Sequence, residues 1–301
     1  MSMIQSTLSY LYWDPSPTAF TVPLIKRPIA WYGILFALGF FIGFYLLMSL
    51  FKRYARGVTD WSEEVLKKKG RLFSERLMIY VIIGTVVGAR LGHILFYEKL
   101  GPYLAHPIAI IKTWEGGLAS HGGVVGILIG ITVFYLRSRK EFPMISIRRI
   151  IDLMVVPALF VAVLIRIGNF INQEVLGVAS QVPWAVKFGH PIDGSLPVPR
   201  HPAQLYEALF YLGMFFLFWF LFSKLIKGTG RLAALFFISI FTFRFFIEFL
   251  KEEQSFLMGG DLLNMGQWLS LPMILLGCAF MIRFGKGPVE GADRKASRGS
   301  H

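Results

Sequence analysis

A run of polar residues ends a long apolar segment and could bind an anionic group. The segment covers residues 150–171, and the run RIGNFINQEVLG, at 166–177, begins within its last turns. Charged and amide side chains at such a place are costly unless they pair or meet a ligand. The guanidinium of Arg166 is a planar fork of donors that suits phosphate, and on a helix Asn169 and Gln173 share its face. We interpret the run as a head-group site for an anionic lipid; the alternative is a structural knot that ties helix ends together.

A second arginine lies in another apolar segment. Arg244 and Glu248 are one helical turn apart, and Lys251 follows on the same face. These residues could form a neutralised pair that lowers the cost of membrane insertion. The other interpretation is a second phosphate-directed arginine held in place by Glu248.

Two further residues could take part in chemistry. His121 stands in a glycine-rich stretch, and histidine titrates nearest to neutral pH, so it is a candidate general base as well as a candidate structural residue. Tyr32 opens the first apolar segment, where it could be an interfacial aromatic residue or donate its hydroxyl to a substrate oxygen. The histidines lack metal-ligand spacing, and neither a phosphate-binding loop nor a nucleophile elbow is present. We therefore expect no metal and no cofactor.

The composition is that of a polytopic membrane protein. Of the 301 residues, 55% are hydrophobic and 16% are charged, against roughly 25% charged in soluble domains. The net charge of +13 comes from basic residues in the loops between apolar segments. This placement determines membrane topology, so we expect no nucleic acid partner.

The fold predicted from these segments is all-α. We expect seven transmembrane helices of about 20 residues each, at about 31–50, 77–97, 118–136, 150–171, 203–223, 231–250 and 265–283.

The loops at 51–75, 137–149 and 224–231 and the C-terminal tail, counted from Arg283, carry 20 of the 31 lysines and arginines. This excess predicts that they are cytoplasmic, with the N-terminus outside and the C-terminus in the cytoplasm. Residues 1–30 would lie at the membrane surface.

The expected organisation is one membrane domain, residues 1–285. Within it, residues 172–202 (the cap loop) would form a small extracytoplasmic cap, and residues 286–301 would be a cytoplasmic tail ending in a tag remnant. Two glycine ladders with a spacing of four, at 84–92 and 122–130, predict close helix packing rather than a functional cleft. Arg90 is more readily explained as a tie between helices than as a substrate contact.

Several motifs together resemble one known family. They are Trp31-Tyr32-Gly33, Gly88-Ala89-Arg90, Trp114-Glu115-Gly116-Gly117, His121-Gly122-Gly123, the run at 166–177, the segment RHPAQLYE at 200–207, Phe243-Arg244 with Glu248, and Met265-Gly266-Gln267. In this order they resemble the bacterial phosphatidylglycerol–prolipoprotein diacylglyceryl transferases through most of the chain. The sequence departs from that pattern at Gln173, where a glycine is frequent, at Ile165, where a glycine usually precedes the arginine, and at Ala30, where some relatives have histidine.

The resemblance implies a reaction at the outer half of the bacterial inner membrane. The diacylglyceryl group of phosphatidylglycerol would move to the lipobox cysteine thiol of a prolipoprotein signal peptide, forming a thioether and releasing glycerol phosphate. Arg166 would bind the phosphate, Arg244 would stabilise the leaving group, and His121 would be the base. Tyr32, Asn169, Asn172 and Gly177 would form the head-group pocket, and Glu174 and Glu248 would orient the arginines.

Two other functions use the same features. An anionic-lipid transporter or flippase would need a polar path across the membrane, but the polar residues cluster in its predicted outer half. A non-catalytic membrane scaffold would not need a histidine beside two arginines.

Overall fold

The computed structural model describes residues 10–24, 26–98, 100–112, 116–252 and 263–284. Seven helices in this part of the chain are long and apolar enough to cross a membrane, which confirms the predicted number. In chain order the helices are α1 (Trp31–Val58), α2 (Glu63–Tyr97), the short α3 (Leu100–Ala105), α4 (Ser120–Ser138), α5 (Ile147–Ile171), α6 (Ala203–Leu225), α7 (Arg231–Ile247) and α8 (Met265–Phe284). Single turns of 3₁₀ helix follow α3 and α7, at Pro107–Ile111 and Glu248–Leu250. The orientation of the termini stays a prediction, as do the single domain and the tail, which lies outside the described residues.

The region predicted as a basic loop at 51–75 is mostly helical. Helix α1 continues to Val58 and α2 already begins at Glu63, so four residues connect them. The hydroxyl of Ser62 caps α2 by accepting a hydrogen bond from the amide of Val65. Glu63 and Glu64 in the first turn favour the same start through the helix dipole. Hydropathy marks where a helix is apolar, but this capping determines where it begins.

Five short strands accompany the helices in the described part of the chain, although the sequence predicts only helices. Strands β2 (Thr18–Val22) and β3 (Arg27–Ala30) form an antiparallel hairpin. In a second sheet β1 (Leu11–Trp13) pairs parallel with β4 (Val186–Phe188), which pairs antiparallel with β5 (Pro199–Arg200). The N-terminal segment is therefore not simply laid on a membrane surface, since it completes a sheet with the cap loop.

The three-stranded sheet packs on the end of α5. Phe170, Leu176, Val186 and Phe188 form a small apolar core, and Trp13 packs against it. The indole of Trp13 donates a hydrogen bond to the carbonyl of Phe170 (3.0 Å). This core fixes the polar residues that follow Phe170 in the chain.

The chain divides into two compact units. Among the described residues, the first comprises those up to 43 and from 155 onward, and the second comprises those from 44 to 154, so α1 and α5 each contribute to both. Arg166, Arg244 and the cap loop belong to the first unit, and His121 belongs to the second.

The glycine ladders of the second unit pack α2 directly against α4. A Cβ added to Gly88 would lie 2.8 Å from the Cα of Gly126, and one added to Gly92 would lie 2.7 Å from the Cα of Gly122. Real Cβ atoms do not approach so closely, so only glycine permits this distance between the backbones. The packing interpretation of the ladders is confirmed.

We expect Gly126→Ala to lower the thermal stability of the protein in micelles. The new methyl group would meet the carbonyl group of Gly84, and forced overpacking typically costs about 1–3 kcal/mol. Gly213→Ala is the control, because a Cβ on Gly213 in α6 meets no atom within 4 Å. Equal melting temperatures for the two variants would contradict this account of the interface.

Candidate active site

Arg166 lies in the last turns of α5 and is held on two sides. Its Nη1 donates to Oδ1 of Asn169 (3.1 Å), as the spacing of three on a helix predicts. Its Nε lies 3.2 Å from Oε2 of Glu207 on α6, and the side chain is 15% exposed. The guanidinium is thus positioned in advance, and part of it remains accessible.

The helix ends before Gln173, so the expectation that Gln173 shares the face of Arg166 is wrong. The amide of Glu174 donates to the carbonyl of Asn169 (3.0 Å), and that of Gln173 donates to Phe170 (3.3 Å). This pair of bonds is a Schellman motif, which needs a left-handed residue at the position of Gln173. Gln173 has φ +55°. Its side chain turns away from Arg166, toward Asp14 and His190.

The turn directs Glu174 back toward the helix. Oε1 of Glu174 accepts hydrogen bonds from Nδ2 of Asn169 (2.7 Å) and from Nδ2 of Asn172 (3.5 Å). The sequence predicts that Glu174 orients an arginine, and the structure shows that it does so indirectly. Because Glu174 fixes the amide of Asn169, the oxygen of that amide faces Arg166.

A fully buried carboxylate connects Arg166 to a buried lysine. Oε1 of Glu207 accepts hydrogen bonds from Nζ of Lys251 (3.1 Å) and from the hydroxyl of Tyr211 (3.3 Å). Its Oε2 has the ion-pair contact with Arg166 but accepts no hydrogen bond from the described residues. Sequence reasoning missed both Glu207 and Lys251 as site residues. Glu207 was visible only within the motif at 200–207, and no local spacing indicated its partners.

Glu248 pairs with Lys251 and not with Arg244, which corrects a second expectation. Nζ of Lys251 lies 3.4 Å from Oε2 of Glu248. Glu248 begins the 3₁₀ turn after α7 and Lys251 closes it, and such a turn brings residues three positions apart close together. Gly266 at the start of α8 fits against Glu248, since a Cβ there would collide with the carboxylate.

Arg244 is half-buried on α7, and its guanidinium has no hydrogen bond or ion pair with another described residue. It interacts electrostatically with Tyr211, as does Arg166. Arg244 is therefore a cation near the Glu207 cluster whose donors are not occupied within the described chain. Such an arrangement favours binding of an anion.

Tyr32 and Gly177 both belong to the surroundings of Arg166, but in different ways. The ring of Tyr32 lies over Gly168, where a Cβ would be 2.7 Å from Cδ2, and its hydroxyl interacts with Asn169. At Gly177 the cap loop passes close to the backbone that follows α7, since a Cβ on Gly177 would be 2.9 Å from the carbonyl oxygen of Leu250. Tyr32 can reach a ligand beside Asn169, whereas Gly177 keeps the cap loop close to Lys251.

His121 lies in the second unit, exposed near the N-terminus of α4. Its ring contacts Phe96 (5.1 Å between centroids) and Tyr97 (5.8 Å). Its nitrogens form no hydrogen bond within the described ranges. Trp114 and Glu115, which precede it in the motif, lie outside those ranges.

Arg90 is a structural residue, as expected. Its guanidinium donates to the carbonyls of Ala109, Ile110, Gly116 and Gly117 at 2.7–3.2 Å. Its donors are thereby used within the loop that leads to α4.

No group of three potential metal ligands occurs in the part of the chain that was described. The clustered side chains of the first unit are instead cations, carboxylates and amides suited to a phosphate ester.

Comparison with known proteins gives a consistent result. The family model for prolipoprotein diacylglyceryl transferase matches residues 17–283. A phosphatidylglycerol–prolipoprotein diacylglyceryl transferase of Chloroherpeton thalassium is 42% identical, over 90% of this chain and 93% of the relative. Its counterpart in Tolumonas auensis is 39% identical over 92% and 98%, and that of Protochlamydia amoebophila is 32% identical over 92% and 95%.

Glu207→Gln is expected to destabilise the protein by about 3–5 kcal/mol, because it leaves Lys251 and Arg166 without their shared counter-charge in a buried site. The double variant Glu207→Gln, Lys251→Met should recover part of this loss. Thermal unfolding of the single and double variants in micelles gives the coupling energy of the pair. Strictly additive losses would show that the two residues do not interact.

Proposed function

The chain belongs to the prolipoprotein diacylglyceryl transferase family, and from this premise we infer that it transfers the diacylglyceryl group of phosphatidylglycerol to prolipoproteins. The protein is a multi-pass membrane transferase. We place the reaction at the outer face of the bacterial inner membrane, on the thiol of a lipobox cysteine.

The reaction is a displacement at a glycerol carbon. A bond forms between the cysteine sulfur and that carbon, the carbon–oxygen bond to the phosphate breaks, and glycerol phosphate leaves with both electrons of that bond. The thiolate is the nucleophile and an ordinary thiol has a pKa near 8.5. The reaction therefore needs removal of a proton from sulfur and stabilisation of charge on the departing phosphate.

Arg166 and Arg244 supply the second requirement. The observation that supports this role is their contrast in pairing: Arg166 is fixed by Asn169 and Glu207, whereas Arg244 has no partner within the described chain. A fixed cation can position the phosphate before reaction. A second cation with unoccupied donors can gain its hydrogen bonds as charge develops, which lowers the barrier.

The neighbouring residues act by positioning. Glu207, with Lys251 as its second partner, holds the Nε edge of Arg166, and Asn169 holds Nη1. Glu174 fixes Asn169, and Tyr32 offers a hydroxyl beside it. Glu248 acts one step further away, through Lys251.

We propose His121 as the group that accepts the thiol proton. Its ring is exposed and its nitrogens form no hydrogen bond with a described residue, which suits this role, and imidazole titrates near neutral pH. This assignment rests on the chemistry of the side chain and on the family motif His121-Gly122-Gly123.

A product assay tests the transferase function and the arginines. Purified full-length protein in micelles containing phosphatidylglycerol would be given a peptide with a lipobox cysteine, and mass spectrometry would detect the diacylglyceryl adduct. We expect Arg166→Ala and Arg244→Ala to lose at least 100-fold in rate, since removing one preorganised donor typically costs 10²–10³. Arg166→Lys should recover little, because an ammonium lacks the planar fork.

Lys187→Ala is the matched control, as it removes an exposed cation from β4 and should keep the wild-type rate. If the wild type moves lipid between leaflets without forming an adduct, the transporter function applies. If lipid binds but neither product nor transport occurs, the scaffold function applies.

The base assignment gives a separate prediction. If His121 accepts the proton, His121→Gln should lower kcat by 10²–10⁴ at neutral pH and leave an activity that rises with pH as the thiol ionises by itself. The measurement is kcat from pH 6 to 9. An unchanged pH profile with full activity would exclude His121 as the base.

A further inference from the structure

A basic cluster at one end of helices α2 and α4 takes no part in the chemistry proposed above. Gly122 of α4 packs on Gly92 of α2. Further along α4, Gly130 packs on the backbone of Tyr80, so the two helices are antiparallel. The cluster, formed by the first half of α2 and the residues that end α4, is therefore at the end of this pair remote from His121. The distribution of basic residues predicts that this end faces the cytoplasm.

Four residues of α2 form a stripe that changes from charged to apolar along the helix. In chain order they are Arg76, Ile79, Tyr80 and Ile83, and their spacing of i, i+3, i+4 and i+7 puts them on one face. The arginine is exposed, and so are Ile79 (56%) and Ile83 (57%). A tyrosine between a cation and exposed aliphatic side chains is typical of the membrane–water interface. Since residues 77–97 are enough to cross the hydrocarbon core, the stripe places its arginine at the level of the lipid phosphates.

Helix α4 adds a second arginine beside this stripe. Nη1 of Arg137 donates to the hydroxyl oxygen of Tyr80 at 3.4 Å, which is longer than a usual N–H···O bond. The side chain of Arg137 is exposed, and its guanidinium has no other partner among the described residues. The hydroxyl proton of Tyr80 likewise has no acceptor in the described ranges. A guanidinium and a phenol therefore offer hydrogen-bond donors at the same point.

Glu141, in the turn after α4, fixes Arg76 from one side. Its Oε2 accepts a hydrogen bond from Nη1 of Arg76, and its Oε1 accepts one from Nζ of Lys69 (2.9 Å). These bonds, first that from Lys69 and then that from Arg76, hold the pKa of Glu141 below its usual value, so the carboxylate is ionised at neutral pH. Nε and Nη2 of Arg76 bond to no residue that the structure describes. The guanidinium is thus held in place while most of its donors stay available to a ligand.

The cluster carries a surplus of positive charge. Arg139 and Lys140 at the end of α4 are exposed, and their side chains form no hydrogen bond or ion pair with another described residue. Together with Lys69 and the two arginines described above, they are five cations beside the single carboxylate of Glu141. The neighbouring Glu75 is already neutralised by an ion pair within α2. An anion is therefore the complementary partner.

The anion that matches these features is a phosphate group carried on hydrocarbon chains. Guanidinium donors fit phosphate oxygens, and the phenol adds a further donor. The exposed isoleucines of the stripe match acyl chains, which a soluble phosphate lacks. Basic residues close to a membrane surface also attract anionic lipids through their charge.

We propose that Arg76, Tyr80 and Arg137 bind the phosphate of an anionic phospholipid in the predicted cytoplasmic leaflet, with its acyl chains along Ile79 and Ile83. The site belongs to the second unit, whereas both arginines of the candidate active site belong to the first. The bound lipid is therefore a structural lipid and not the substrate of the transfer reaction.

The test counts the phospholipids that the purified full-length protein retains in native mass spectrometry. Dioleoyl phosphatidic acid is the anionic probe, and dioleoyl phosphatidylcholine, with the same acyl chains, is the uncharged comparison. The double variant Arg76→Gln, Arg137→Gln should retain one phosphatidic acid fewer than the wild type and the same number of phosphatidylcholines. Tyr80→Phe removes one oxygen and no charge, and it should weaken the binding of this phosphatidic acid by about threefold or more.

The double variant Lys67→Gln, Lys68→Gln is the matched control. It removes the same two charges from exposed residues, at least two turns nearer to the start of α2 and therefore outside the membrane. It should retain as many phosphatidic acids as the wild type. All three variants should keep the wild-type rate in the adduct assay, which also shows that they are folded.

Three results would overturn the proposal. The first is wild-type retention of phosphatidic acid by both the arginine double variant and Tyr80→Phe. The second is an equal loss in the lysine control, because net charge alone would then account for the binding. The third is displacement of the retained lipid by an equal concentration of glycerol 3-phosphate, because the acyl chains would then contribute nothing to the site.

Discussion

The first unit depends on one carboxylate that is completely removed from solvent. Glu207 contacts Lys251 through one oxygen and Arg166 through the other. An ion taken from water into such a place is very unfavourable alone, and so each of these three residues requires the others. Helix α6, the end of α5 and the turn after α7 each contribute one of these three residues. Their charge interactions therefore hold the three segments together at the candidate site.

The turn that ends α5 is the second constraint. Left-handed backbone is unfavourable for residues with a Cβ, yet both Gln173 and Val175 adopt it. Glycine at position 173 would relieve the strain but would remove the side chain that bonds Asp14 and the amide of His190. Gln173 thus adopts a strained backbone conformation, and its side chain connects the residue after β1 to the cap loop beside the end of α5. The same turn returns Glu174 to Asn169, on which the orientation of Arg166 depends.

Sequence patterns predicted those parts of the structure that depend on residues close together in the chain. Hydropathy located seven helices, the spacing of three predicted that Arg166 and Asn169 share a helix face, and the glycine ladders predicted close helix packing. Glu207 and Lys251 are 44 residues apart in the chain, and the residue periodicity within one segment cannot predict a contact over that separation. Spacing even misled at Arg244 and Glu248, because it could not show that Lys251 competes for the carboxylate. The pairing of β1 with β4 was missed because it joins segments about 175 residues apart.

The three arginines Arg90, Arg166 and Arg244 differ in how their guanidinium groups are paired, and this difference underlies the roles proposed for them. Arg90 uses four of its five N–H donors on backbone carbonyls, which makes it a structural residue. Arg166 is paired on two sides and partly exposed, which makes it a fixed cation with a remaining accessible edge. Arg244 keeps its donors unoccupied within the described chain at a half-buried position. A half-buried cation without a counter-charge among the described residues is costly in a membrane protein, and the phosphate contact proposed for Arg244 would offset that cost.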